Sequence, residues 1–315
     1  MAPRRSTIWQ KVHLWRSGGR TIRLRSPVDE WRGRVDLGQV TGAMDTGVWS
    51  WSELVAEIGR VALRRQVAAG RLVRVGHGWY AAPTAAQAVI SAVRLGGHLG
   101  CLSGCAVHGL WVPPEPGLHV TFNRRVPAVL PPLTVGHHAR ELGCEAAVRP
   151  LLECLAEVVR HHDIETALIV LDSALNQRLV TEAEAVHLVR SCPKATHRVL
   201  RYVDGRADSG TETRVRYLFQ RRGIPVEPQV RVRGVGRVDL LVGRSLMIEC
   251  DSRQHHTGEE NYSRDRARDL VLVQDGNRVV RLTFQQVFHQ WPQTSAALIR
   301  LTRAGLHRPL PLSAK

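Results

Sequence analysis

The chain has 315 residues, with 44 lysines and arginines against 28 aspartates and glutamates, a formal net charge of +16 and a pI near 10.9. That length allows two or three domains, each with its own core. No apolar run reaches the roughly 18 residues of a membrane span, and an excess charge of this sign points to a polyanionic partner, nucleic acid first. Lysine stands only at Lys11, Lys194 and Lys315. GC-rich coding explains arginine over lysine, but not the surplus of bases over acids.

Residues 1–45 are basic, with little hydrophobic periodicity, and read as a flexible arm; Met44 is a plausible second start. The arm has no apolar export core. Cys101, Cys105, Cys144, Cys154, Cys192 and Cys250 read as reduced thiols packed as small apolar groups, in a cytoplasmic protein.

Residues 46–82 read as a small winged helix-turn-helix. Trp51 to Ile58 is a short amphipathic helix that Ser50 or Ser52 caps, Gly59 is a turn, and Val61 to Ala69 is a second helix closed by Gly70 at its C′ position. Arg71 to Val75 and Trp79 to Ala81 flank Gly76-His77-Gly78 as a two-stranded wing. Arg64 and Arg65 would then face a major groove, with Arg71 and Arg74 on phosphates. The competing reading is a helix-hairpin cap with no nucleic acid.

Residues 83–205 form a mixed α/β middle domain. It has a helix over Thr84–Leu95, a strand over Leu118–Phe122 and helices over Pro150–His161, Ile164–Asn176 and Thr181–Ser191, the last with a capping box. His137-His138 and His161-His162 lack the i, i+4 spacing that aims two imidazoles one way along a helix, so neither pair is expected to hold a metal.

Residues 206–304 read as a compact α-β-β-β-α-β-α segment, followed by a tail over 305–315. A helix begins at Ser209 and ends at Gly223. Strands follow over Gln229–Arg233, Val238–Val242 and Leu246–Cys250, the last two joined at Gly243-Arg244-Ser245 as a hairpin. A helix over Glu259–Gln274, a buried strand over Arg278–Leu282 and two closing helices complete the domain.

The hairpin carries the chemistry. Its strands bring Asp239 and Glu249 together, and Asp251, two residues on, shares a strand face with Glu249. Carboxylates gathered in an apolar setting are costly without a cation, and a divalent ion such as Mg²⁺ or Mn²⁺ suits such donors. The competing reading makes Asp239 a hairpin-end charge and pairs Glu249 and Asp251 with arginines.

Residues 206–290 resemble the PD-(D/E)XK nuclease superfamily, and most closely the very-short-patch-repair (Vsr) endonucleases. The matching stretches are Ser209-Gly210-Thr211-Glu212, Gly236-Arg237-Val238-Asp239, Ile248-Glu249-Cys250-Asp251, Gln254-His255-His256 and Arg264-Asp265-Arg266. The resemblance implies a restriction-endonuclease-like core, with Asp239 and Glu249 as metal ligands. Asp251, a further ligand or an orienting group, occupies the position of the superfamily's lysine. It also implies His255 or His256 as the proton-transfer base and Glu212 as a carboxylate near the metal, unless Glu212 is only a capping residue. Arg266 would approach phosphate. The front half, through Ala69 to Tyr80, Ser103 to Leu110 and Leu171 to Leu175, resembles the AbiEi antitoxins of type IV toxin–antitoxin systems.

Two functions follow as expectations. One is a metal-dependent DNA endonuclease delivered by its winged helix. The other is a catalytically silent DNA-binding regulator or antitoxin, with a toxin as its partner. A second copy of the chain is a further expected partner; a membrane is not.

Overall fold

The computed structural model describes residues 46–115, 117–123, 125–139, 146–232, 236–251 and 278–308. Over these residues it is a mixed α/β structure with three small, mostly antiparallel sheets. The chain divides into two compact units, one from Met1–Leu110 with Glu115–Glu157, the other from Trp111–Pro114 with Val158–Lys315.

In the first unit, β1 (Val48–Ser50) runs directly into α1 (Trp51–Ala68). The junction is a capping box: Ser50 Oγ accepts from the Glu53 N–H, and the Glu53 carboxylate accepts from the Ser50 N–H. Gly59, at φ 77° and ψ 159°, breaks α1 in two, a conformation that only glycine adopts at little cost. Strands β2 (Val73–Gly76) and β3 (Trp79–Ala81) follow as a hairpin, and β1 pairs antiparallel with β3 to give the order β1-β3-β2. The expected two-stranded wing thus gains a third strand from the segment before α1. Leu54, Leu63 and Leu72 bury the inner face, and Arg64, Arg65, Arg71 and Arg74 are exposed.

Helix α2 (Gln87–Arg94) packs Val89, Ile90, Ala92 and Val93 with Val48, Val75, Ala81, Leu99, Val120 and Phe122 into one core. β4 (His98–Leu99), α3 (Cys101–Val107), β5 (Leu118–Phe122) and β6 (Thr134–His138) follow. In their sheet, β4 pairs antiparallel and β6 parallel with β5. The first turns of α4 (Leu151–His161) bring Cys154 and Glu157 into this unit. Buried Glu157 accepts from the Thr121 hydroxyl and the Cys101 N–H and pairs with Arg149 Nε at 3.1 Å.

The second unit holds α5 (Ile164–Asn176), buried over most of its surface, then α6 (Glu182–Ser191), capped by Thr181 as its capping box predicts, and a 3₁₀ turn over Lys194–Arg201. α7 (Gly210–Gln220) precedes the sheet β10-β9-β8-β7. β7 (Val226–Val232), β8 (Gly236–Val242) and β9 (Leu246–Asp251) form an antiparallel meander, and β10 (Arg278–Thr283) lies parallel to β9. The predicted hairpin is present, with Gly243 at φ 64° in its turn. Val215, Leu218 and Phe219 of α7 pack on Leu240, Val242, Leu246, Ile248 and Leu282. α8 (Phe284–Phe288) and α9 (Trp291–Arg303) complete that core with Val287 and Leu298.

One buried ion pair ties the helices of this unit together. Arg216 of α7 reaches Asp172 of α5 at 2.5 Å, and both side chains are almost wholly inaccessible. Asp172 also accepts from the Thr213 hydroxyl and the Asp204 N–H, while Arg216 donates to the Tyr202 carbonyl and the Gln220 amide oxygen. Burial pushes the Asp172 carboxyl up to about 6, against the pull of the Arg216 guanidinium.

Candidate functional site

Strand pairing aligns the carboxylates. Pro228 pairs with Leu240 and Val230 with Val238, so Gln229 lies level with Asp239. Leu240 pairs with Ile248, which sets Asp239 level with Glu249 one step along. Glu249 in turn pairs with Arg281 of β10. Gln229, Asp239, Glu249 and Arg281 therefore make one row across the four strands. Gln229 sits at φ 57°, an uncommon value for a residue other than glycine.

Helix α7 adds a third carboxylate to this row. Glu212 is 3 % exposed. It accepts from the Asp208 N–H at 3.0 Å, the Ser209 hydroxyl at 2.8 Å and the Gln229 amide at 2.7 Å. Burial, and then the negative charge of Asp239, push its carboxyl up to about 8. Asp239 is itself fixed: its Oδ2 accepts from the Cys250 N–H at 2.8 Å, on the strand residue that follows Glu249.

The structure therefore brings Glu212 close to Asp239 and sets Asp239 and Glu249 level on neighbouring strands. Asp251 is the last residue of β9, opposite Thr283. His255, His256, Arg266 and the expected helix over Glu259–Gln274 lie outside the described residues. The donors present are oxygens, and a carboxyl whose charged form is disfavoured by burial and then by a neighbouring carboxylate is one that a cation would relieve. Such a set fits a hard divalent ion.

In the first unit, the exposed arginines occupy the second half of α1 and the hairpin that follows it. Arg60, also exposed, lies over the Trp51 ring at 5.2 Å.

Two further clusters were missed in sequence. The first joins Cys101, His119 and His137. The second joins Cys105, Cys154 and His108: the Cys105 thiol and the His108 ring hydrogen-bond to Cys154 and lower its pKa to about 7 despite burial. Their members are far apart in the chain, and His137 meets His119 of the neighbouring strand, a partner that its sequence neighbour His138 does not announce. The cysteines of the described residues are buried and carry no disulfide, as expected. No helix among the described residues is long and apolar enough to cross a membrane.

No protein-family model matches the chain. It is similar to two proteins of Mycobacterium tuberculosis, the uncharacterized protein MT2308 of strain CDC 1551 / Oshkosh and the uncharacterized protein Rv2248 of strain ATCC 25618 / H37Rv. Each is 28 % identical over 268 residues, covering 78 % of this chain and 98 % of the relative.

Proposed function

We propose that the chain is a metal-dependent DNA endonuclease whose second unit contains, over residues 206–304, a restriction-endonuclease-like domain and whose first unit opens with a DNA-binding winged helix. The observation that carries this reading is the meeting of Glu212 and Asp239 at one end of a strand row that also holds Glu249. Asp239 and Glu249, with Asp251 beside them, would hold Mg²⁺ or Mn²⁺, and the bound ion would supply polarisation of a phosphodiester oxygen and a more acidic water.

The protein's own groups prepare that chemistry. The Cys250 N–H holds the Asp239 carboxylate in place against the strand. Gln229 donates its side-chain amide to Glu212, so the helix carboxyl is oriented by the same row that it joins. A proton stored on Glu212 at neutral pH limits the negative charge of the site until a cation arrives. The exposed arginines of α1 and the wing supply sequence-independent attraction to phosphates.

Incubating the full chain with supercoiled plasmid and Mg²⁺ or Mn²⁺ tests this reading. Nicking is expected from the wild type and should be lost in Asp239→Asn and Glu249→Gln. No nicking with either ion, or equal nicking by the variants, overturns it.

Two observations favour a second reading. Three protein donors already satisfy Glu212, as they would in a purely structural cap, and Asp251 stands where the superfamily has lysine. Under that reading the chain is a DNA-binding regulator of the antitoxin kind, which retards DNA in a gel and never cuts it.

A further inference from the structure

We propose that Cys101, His119 and His137 of the first unit supply three ligands of a zinc ion, at a site separate from the carboxylate row. Cys101 Sγ and one ring nitrogen from each histidine lie within 4.8 Å of one another, and all three residues are buried. Their relative exposures are 0 %, 3 % and 6 %.

The three side chains come from three elements. His119 and His137 lie on the parallel strands β5 and β6, where Thr121 pairs with His137 and His119 with Val135. Residues two apart share a strand face, so the two imidazoles meet on one side of the sheet. Nδ1 of His119 and Nε2 of His137 face each other at 3.0 Å, and the rings are nearly parallel, at 14°. Zinc binds thiolate sulfur at about 2.3 Å and imidazole nitrogen at about 2.0–2.1 Å, which sets neighbouring donors of a tetrahedral site about 3.3–3.7 Å apart. The two facing ring nitrogens stand 3.0 Å apart, and the sulfur lies within 4.8 Å of one nitrogen of each ring.

The backbone around these groups is held in place. Cys101 begins α3 at φ 47°, a strained conformation for a side chain with a Cβ. Such strain persists where the surroundings over-determine it and gathers at functional positions. The Cys101 N–H donates to Glu157 Oε2 at 2.8 Å, and the His119 N–H donates to Ser103 Oγ at 2.9 Å. On the far side of its ring, His119 Nε2 lies 4.0 Å from Glu115 Oε2. An imidazole that binds metal through one nitrogen commonly directs the other at a carboxylate, which fixes its tautomer and orientation. Sulfur with two imidazoles is the donor set of zinc and its softer neighbours, whereas the carboxylate row suits a hard cation.

The test uses the full chain, purified without chelator from zinc-supplemented cells, with metal content per chain read by mass spectrometry. About one zinc per chain is expected in the wild type and in Asp239→Asn/Glu249→Gln, falling at least tenfold in Cys101→Ser/His137→Ala. Replacement of the ion by Co²⁺ should give a thiolate-to-cobalt charge-transfer band that Cys101→Ser removes. A wild type that takes up neither ion overturns the proposal. So does zinc that survives the Cys101→Ser/His137→Ala change, or that leaves only with the carboxylates. If the cluster variants do not fold, X-ray absorption on the wild type decides. One sulfur with at least two imidazole nitrogens around zinc supports the site, and an oxygen-only shell overturns it.

Discussion

Burial raises the proton affinity of Glu212 on α7, and the negative charge of Asp239 on β8 raises it further. The two carboxyls belong to elements separated by a whole strand in sequence, and only the packing of α7 on the sheet brings them together. Glu212 is consequently the group through which the site's chemistry can be read without assaying a reaction.

In metal-free buffer the burial of Glu212, together with the charge of Asp239 beside it, makes stability depend on pH. Between the ordinary glutamate value of 4.5 and the folded value of about 8, the folded chain holds a proton on Glu212 that the unfolded chain has released. Stability from this group is fully present below that window and declines as pH rises through it. Asp239→Asn removes one of the two causes of the shift, so the decline should be shallower in the variant. Melting temperatures from pH 5 to pH 9 test this, and parallel curves for the two proteins would show that the carboxyls are uncoupled.

Asp172→Ala should be far more damaging than a typical core truncation, because it leaves the Arg216 guanidinium buried without its carboxylate. Breaking a buried pair from one side costs about 3–5 kcal/mol. The double change Asp172→Leu/Arg216→Met should recover much of that loss. Urea unfolding of the three proteins measures it. A single variant within about 1 kcal/mol of wild type would mean that water reaches the pair.

Gly100→Ala should destabilise the first unit. A Cβ at this position would overlap Thr121 Oγ1 and Glu157 Oε2, the carboxylate oxygen that also accepts from the Cys101 N–H. Overpacking of this kind costs about 1–3 kcal/mol. Chemical denaturation followed by the tryptophans of the first unit reads it, and a change under about 0.5 kcal/mol would contradict the close approach.

Arg64→Ala/Arg65→Ala should weaken DNA binding in a salt-dependent way. Each lost phosphate contact flattens the slope of log K against log salt by about 0.9, so the pair should reduce its magnitude by about 1–2. Gel shifts of one duplex across a salt series give the slope. An unchanged slope would place the DNA elsewhere on the protein.

Features written in short-range chemistry were legible in the sequence. Thr181 with Glu184 announces a helix start through a hydroxyl and a carboxylate three residues apart, and that box forms; Ser50, one of two hydroxyls expected to cap α1, forms a second box with Glu53. The hairpin of β8 and β9 was legible because two apolar runs flank a glycine turn. β6 was not, because Thr134 to His138 contains Gly136 and two histidines and shows no apolar alternation. Its strand state comes from its parallel neighbour β5, a non-local partner. The meeting of His119 with His137 depends on that pairing and was hidden for the same reason. Glu212 was legible both as a cap and as a site residue, and both descriptions hold in part: the Ser209 oxygen accepts from the Glu212 N–H, and the carboxyl feels Asp239.

The interruption of α1 at Gly59 has a consequence for how the basic segment can vary. A Cβ built there meets nothing within 4 Å, so crowding would not exclude a larger residue; the torsion angles alone demand glycine. Any other residue favours a continuous rod in place of the elbow, which would swing Arg64 and Arg65 to a new bearing relative to the hairpin. The direction in which this molecule presents its positive charge is thus set by one achiral residue that carries no charge itself.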